Sequence, residues 1–390
     1  MERAPRARWG AVVCALVGLA ALVPFAGARA DAYADTQFVL HAAYPHTKTL
    51  GPGHALGAVI WNHGKPPFRG ADGDMLPFYL DRLRDAGWDV FRLDRDWASD
   101  NLVLSPAALR DQVRALHARG YHDVVLAGQS YGAWISLMVA AWGPPVRAVI
   151  ATAPAAYGRS PESPVYRNNA TALYPILERI RDTRVMLFLF QGDPYDPGDR
   201  AAPARRILSD DGVDHAVVAY QPGWLGHGAA NWTGFATRFA PCILRFIDPR
   251  QPSGENRCGR DPVTRASLGM TLPDSLLRAQ PVSTAASAGA PMGGLWYGVY
   301  ANGRQALLSL GAVEDGTVDA VYAWGVQQRG EADAPGYERR VGRIEGDRLL
   351  FAEPDHPTLD VRALGPDRLS LTWTSSDGTR SDTAELHPLR

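Results

Sequence analysis

The stretch Asp123-Val124-Val125-Leu126-Ala127-Gly128-Gln129-Ser130-Tyr131-Gly132-Ala133-Trp134 decides how this chain is read. Residues 123–127 form a short apolar run of strand type, and residues 134–142 continue as an apolar helix. Between them lies Gly-x-Ser-x-Gly. A strand that turns sharply into a helix pushes its central residue, here Ser130, into a strained and exposed position. Glycines flanking that residue are needed because the neighbouring strand and helix leave no room for side chains. The helix N-terminus favours negative charge developing beside it. The plain alternative is a βα turn in which Ser130 only caps the helix.

Outward from this turn, residues 58–61, 89–93, 147–152, 184–190 and 216–220 are further strand candidates, preceded by one at 37–40. Residues 76–86 and 105–119 have helical spacing and stop at Gly87 and Gly120. Ser105-Pro106 opens the second with a capping serine and a proline at the first position. Residues 232–247 close the region as a helix. Strands alternating with helices imply parallel βαβ units, and their near-continuous apolar content fits strands covered on both faces. A doubly wound, mostly parallel α/β domain is therefore expected within residues 31–248, its regular pattern beginning near residue 36.

The pattern then changes. Residues 249–290 are rich in Pro, Ser, Gly and Arg and read as a linker, with one helical turn near 274–278. Residues 291–390 consist of short alternating segments broken by Gly or Asp-Gly, which predicts a small antiparallel barrel or sandwich. Gly294-Leu295-Trp296 resembles, over three residues only, the Gly-x-Trp of lipocalin-like barrels.

The bulk properties exclude several classes. With 46% apolar and 21% charged residues, the chain is a folded globular protein. Its 40 Lys and Arg balance 41 Asp and Glu, without the basic excess of a nucleic-acid binder. The first 30 residues read as a signal peptide: Arg3, Arg6 and Arg8, an apolar run, then Ala28-Arg29-Ala30 as a cleavage site. The mature chain is expected to be secreted or periplasmic and to contain no membrane span. Its two cysteines, Cys242 and Cys258, suit one disulfide in an exported protein.

A nucleophilic serine needs a base, and the base needs a group to orient it. His227, in Gly226-His227-Gly228, follows the last strand candidate and precedes the closing helix. Two acids, Asp193 and Asp196, follow the strand ending at Phe190. Asp193 is put first because it lies nearest the strand end; Asp196, farther into the loop, is the alternative. Ile60-Trp61-Asn62-His63-Gly64-Lys65 ends an early strand in His-Gly, which suggests an oxyanion hole from the backbone N–H groups of Lys65 and Tyr131. His63 is read as structural, since it sits at a strand end and not in the late loop. No metal or other cofactor is expected: HExxH is absent and the histidines have no ligand spacing.

Taken in order, His-Gly, Gly-x-Ser-x-Gly, Asp and Gly-His-Gly resemble the α/β-hydrolase superfamily over residues 36–248. The short stretch between the strands near Thr152 and Arg184 makes the chain similar to its dienelactone-hydrolase-like branch. The resemblance implies Ser130 as nucleophile, His227 as general base and Asp193 or Asp196 as its partner. The expected function is hydrolysis of an ester, thioester or amide through an acyl-enzyme, most simply as a carboxylesterase. An acyltransferase or a peptidase on the same triad is one alternative, and a non-catalytic binding protein on this fold is another. The short lid, with Tyr157, Tyr166 and Tyr174, predicts an open site for a small molecule or a chain end. Its tyrosines either line a pocket or pack the lid onto the core. A glycan or protein partner is the expected ligand of the β region, if it has one.

Overall fold

The computed structural model describes residues 38–65, 76–96, 98–221, 224–248, 250, 258, 270, 293–325 and 335–389. The expected signal peptide and the helical turn near 274–278 lie outside the described residues.

Seven strands form one sheet: β1 (Phe38–Ala42), β2 (Ala58–Asn62), β3 (Asp89–Arg95), β4 (Val124–Gln129), β5 (Ala148–Thr152), β6 (Arg184–Leu189) and β7 (His215–Ala219). Their order is β1-β3-β2-β4-β5-β6-β7. Only the edge strand β1 is antiparallel, to β3; the other neighbours run parallel. Parallel register sets Asn62 beside Gly128 and Gln129 beside Thr152, so the loops after β2, β4 and β5 emerge together at the carboxyl edge. Sites in open α/β sheets assemble at this edge.

The helices are α1 (Phe78–Asp85), α2 (Leu104–Ala118), α3 (Tyr131–Ala141), α4 (Asn168–Thr171), α5 (Tyr174–Leu177), α6 (Ala201–Asp210) and α7 (Thr233–Ile247). They cover both faces of the sheet, which is why strands such as β2 and β5 are buried at every residue. One core joins Ile60, Leu93 and Leu126 to Leu109, Val113 and Trp134 of α2 and α3. The other joins Val59, Val125 and Phe188 to Leu80, Leu83, Phe235 and Phe239 of α1 and α7. Phe235 and Phe239 meet Phe188 edge-on at 5.0 and 5.3 Å between ring centroids, locking α7 onto β6.

The start of α3 differs from the sequence expectation, and α4, α5 and α6 fall where no helix was expected. α3 starts at Tyr131, directly after Ser130, and not at Trp134; small residues pack there too closely to show an apolar stripe. In α6, Pro203 lies in the first turn, where proline loses no intrahelical bond. Ala201, Ala204 and Leu208 are the buried face of this helix.

The described residues within 294–388 form an all-β unit. Its strands are β8 (Gly294–Tyr300), β9 (Gln305–Glu314), β10 (Thr317–Trp324), β11 (Gly336–Glu345), β12 (Arg348–Phe351), β13 (Thr358–Gly365), β14 (Arg368–Thr374) and β15 (Ser381–Pro388). Each pairs antiparallel with the next, and β15 returns to β8 to close a barrel. Closure removes the open edges that a sandwich of short strands would leave. Trp296, Tyr300, Leu308, Tyr322, Phe351 and Leu371 are among the side chains that fill it.

The other face of β8 is buried as well, against α7. A Cβ on Gly234 would lie 2.8 Å from Val299, and one on Gly303 would lie 2.2 Å from the Trp232 ring. Between them Oε1 of the buried Gln305 side chain accepts hydrogen bonds from Thr237 (2.9 Å) and Tyr297 (3.0 Å). Cys242 of α7 and Cys258 lie at disulfide distance, with Cα atoms 5.1 Å apart. No helix among the described residues is long and apolar enough to cross a membrane.

Candidate active site

Ser130 sits between β4 and α3 with φ 55° and ψ −121°, a backbone conformation an L-residue holds at a cost of about 1–3 kcal/mol. The surroundings impose it. A Cβ on Gly128 would meet the Gly132 carbonyl carbon at 2.4 Å, and one on Gly132 would meet the Asn62 carbonyl oxygen at 2.0 Å. Both glycines are thus required by backbone contact. The Ser130 amide donates to the Thr152 carbonyl (3.0 Å), and the Ser130 carbonyl accepts from Trp134 (3.0 Å) and Ala155 (3.2 Å). Ala153 after β5 and Tyr220 after β7 share the positive φ, at 47° and 53°. Three non-glycine residues of this kind therefore follow sheet strands at the carboxyl edge, where such strain is characteristic of functional sites.

The structure brings Asp193 and His227 together: His227 Nδ1 lies 2.8 Å from Asp193 Oδ1. Asp193 is fully buried, and the same oxygen accepts the Tyr195 amide at 2.8 Å. A carboxylate accepts only, so His227 carries its proton on Nδ1 and leaves Nε2 as the acceptor of the ring. Nε2 has no hydrogen-bond partner among the described residues. The Tyr195 ring lies against the imidazole, 4.3 Å between centroids at 37°.

Asp196 is turned elsewhere. Its Oδ1 accepts from Arg200 Nε at 2.8 Å, in an ion pair with side-chain exposures of 3% and 0%. Oδ2 accepts from Tyr220 (3.0 Å) and the backbone carbonyl from Tyr166 (2.6 Å). Arg200 goes on to donate to the Pro154 and Asn169 carbonyls at 2.7 and 3.1 Å. Asp196 thereby ties the acid loop to the lid segment. Burial beside this carboxylate pushes the Tyr220 hydroxyl well above the usual phenol range. Of the lid tyrosines, Tyr157 packs edge-on against Trp134 at 5.5 Å and Tyr166 is held by Asp196. Both pack the lid onto the body. Tyr174 opens α5.

Gln129 links the parts. Its side-chain amide donates to the His227 carbonyl at 3.0 Å, and its Oε1 lies 2.7 Å from where a Gly64 Cβ would stand. The same Gly64 position is 3.4 Å from Ser130 Cβ, so the loop after β2 runs directly beside the serine. Lys65 follows in that loop; its ammonium donates to the Asp100 carbonyl at 2.9 Å. Tyr131 is the first residue of α3, so its amide has no acceptor within the helix. His63 is buried beneath, with Nδ1 2.6 Å from the Gly64 carbonyl oxygen.

Sequence reasoning missed Gln129, Tyr195, Arg95 and Arg200. Gln129 alone stood within a motif; the others meet their partners across loops, Tyr195 against His227, Arg95 against Asp100, and Arg200 against Asp196 and the lid segment. Among the described residues, no group of three or more His, Cys, Asp or Glu is arranged to hold a metal.

The strand order with its one antiparallel edge, the elbow at Ser130 and the late histidine loop are those of the α/β-hydrolase fold, followed here by a closed eight-stranded barrel. No family model matches the chain. No curated protein matches it either. Among solved structures it is similar to a Klebsiella pneumoniae protein assigned as a dienelactone hydrolase (14% identity, 54% of this chain, 99% of that one, TM-score 0.40). It is also similar to a Pyrococcus furiosus esterase (12%, 50% and 84%, TM-score 0.40). A third is an acylaminoacyl peptidase of Pyrococcus horikoshii (13%, 55% and 40%, TM-score 0.42).

Proposed function

We propose that this chain is an exported serine hydrolase of the dienelactone-hydrolase-like kind, cleaving an ester, thioester or amide. Ser130 attacks the carbonyl carbon while His227 Nε2 takes its proton. Asp193 holds the imidazole and balances its positive charge. The amides of Lys65 and Tyr131 receive the negative charge that develops on the carbonyl oxygen. His227 then protonates the leaving group, and water deprotonated by His227 releases the acyl group from Ser130. The observation that carries this reading is the 2.8 Å His227–Asp193 pair, joined through Gln129 to a serine held at a strained elbow. Turn formation alone needs neither the strain nor the pair. Export is supported by the signal-like start of the sequence and by Cys242 and Cys258 at disulfide distance.

The test is covalent labelling by a fluorophosphonate together with an activated-ester assay. Wild-type protein should label and turn over; Ser130→Ala should do neither while melting at a similar temperature. Retained turnover in Ser130→Ala would exclude the serine mechanism. Alcohol or amine acceptors added to the same assay separate hydrolysis from acyl transfer.

A further inference from the structure

The catalytic roles above leave a buried charge unused. Arg95, the last residue of β3, is fully buried and paired with the equally buried Asp100 (Nε to Oδ1, 2.9 Å). Desolvating two charges costs much of what their attraction returns, so such a pair is weak as a stability device. Its remaining contacts are specific. Arg95 Nη2 donates to the His63 carbonyl at 2.7 Å and to the Gly64 carbonyl at 3.3 Å. His63 Nδ1 lies 2.6 Å from the same Gly64 oxygen and 3.3 Å from Arg95 Nη2; a carbonyl only accepts, so the shorter contact sets the proton on that nitrogen.

These carbonyls are the backs of two peptide groups. In a trans peptide the C=O and the N–H point in opposite directions, and no cis peptide bond occurs among the described residues. The Gly64 carbonyl shares its plane with the Lys65 N–H. A grip on Gly64 O by Arg95 and His63 therefore turns the Lys65 N–H away from the buried cluster. Ser130 lies beside this same loop, against Gly64. The far end of Lys65 is tied to the Asp100 carbonyl, so Asp100 restrains the residue from both sides. The guanidinium also lies 5.5 Å from the ring of Tyr131, which supplies the second amide.

We propose that Arg95 is a positioning residue for the oxyanion hole: it locks the Gly64–Lys65 peptide so that the Lys65 N–H faces the developing oxyanion. This rests on the serine-hydrolase reading. If the peptide is free to flip, its carbonyl oxygen replaces the donor, and the transition state loses an interaction the ground state never made.

Arg95→Lys carries the test, because an ammonium keeps the charge opposite Asp100 but cannot also span the two carbonyls. Removal of one oxyanion donor typically costs roughly 10²–10³-fold in kcat. Full-length Arg95→Lys should lose about 10–10²-fold, with KM within about threefold and affinity for a trifluoromethyl ketone analogue of the best ester reduced in parallel with kcat. Arg95→Met/Asp100→Asn, which removes the pair without stranding a charge, should show the same split. Folded Arg95→Lys with kcat and ketone affinity near wild type would overturn the proposal. So would a raised KM at unchanged kcat, which would make Arg95 a substrate-binding residue. Turnover surviving in Ser130→Ala would instead strike the reading on which the proposal rests.

Discussion

The sharpest prediction sets Asp193 against Asp196, three residues apart with opposite expected defects. Replacing Asp193 by Asn leaves the side-chain volume and the oxygen facing Tyr195 and His227, and removes the charge. That charge acts on a fully buried pair 2.8 Å apart. At an effective dielectric of about 20, Coulomb's law gives roughly 6 kcal/mol between unit charges at this separation. In the proposed mechanism the imidazolium forms as His227 takes the serine proton, so the loss falls on the transition state and corresponds to about 10⁴-fold in kcat. Stability should change little, since neutral His227 asks only for an acceptor. Asp196→Asn should behave in reverse. It deprives the fully buried Arg200 of its counter-charge, and breaking a buried pair costs about 3–5 kcal/mol, with Asn at the lower end because it still accepts. On a domain this size that is a fall in Tm on the order of 10 °C, while kcat of the folded protein stays within about tenfold of wild type. Steady-state kinetics on a small activated ester and a thermal melt of each variant decide the matter. A 10⁴-fold loss of kcat in Asp196→Asn at unchanged Tm, with Asp193→Asn near wild type, would refute the assignment and the electrostatic reasoning together.

Two further outcomes follow from the packing and the charges. Gly132→Ala puts a methyl group 2.0 Å from the Asn62 carbonyl oxygen; it should abolish fluorophosphonate labelling and destabilise the fold by several kcal/mol, on the order of other core overpacking changes, so a variant labelled at the wild-type rate would contradict the elbow geometry. In the barrel, hydrogen bonding to the buried Arg340 draws the Glu353 carboxyl from 4.5 down to about 2. A lowered folded-state value means the stabilisation is present above about 4.5 and lost as pH falls towards 2. Glu353→Gln should therefore melt lower than wild type near pH 7 and converge with it near pH 2; a gap independent of pH would show that charge is not the cause.

Much of this molecule could be read without its coordinates. Apolar runs such as residues 123–127 specify strands locally, because burial on both faces of a parallel sheet demands near-continuous hydrophobicity. Gly128, Ser130 and Gly132 announce an elbow, because only glycine tolerates the contacts a tight strand–helix turn creates. The alternating segments after Gly293 likewise announce strands, and eight were found between Gly294 and Pro388. Sequence order and loop position were enough to nominate Ser130 and His227, since a linear pattern carries both.

The remainder depended on contacts between residues far apart in the chain. Asp193 and Asp196 have similar local sequence, and no propensity distinguishes them. They part company because the imidazole of His227 arrives beside one and the guanidinium of Arg200 beside the other. Whether the last strands make a sandwich or a barrel likewise turned on a single long-range pairing, that of β15 with β8. Arg95 could not be singled out at all, because an arginine ending a strand looks like any surface cation until His63, Gly64 and Asp100 close around it. Short-range physics sets which residues form an element; the three-dimensional packing sets which charge meets which partner, as it does for Asp193 with His227 and Arg95 with Asp100.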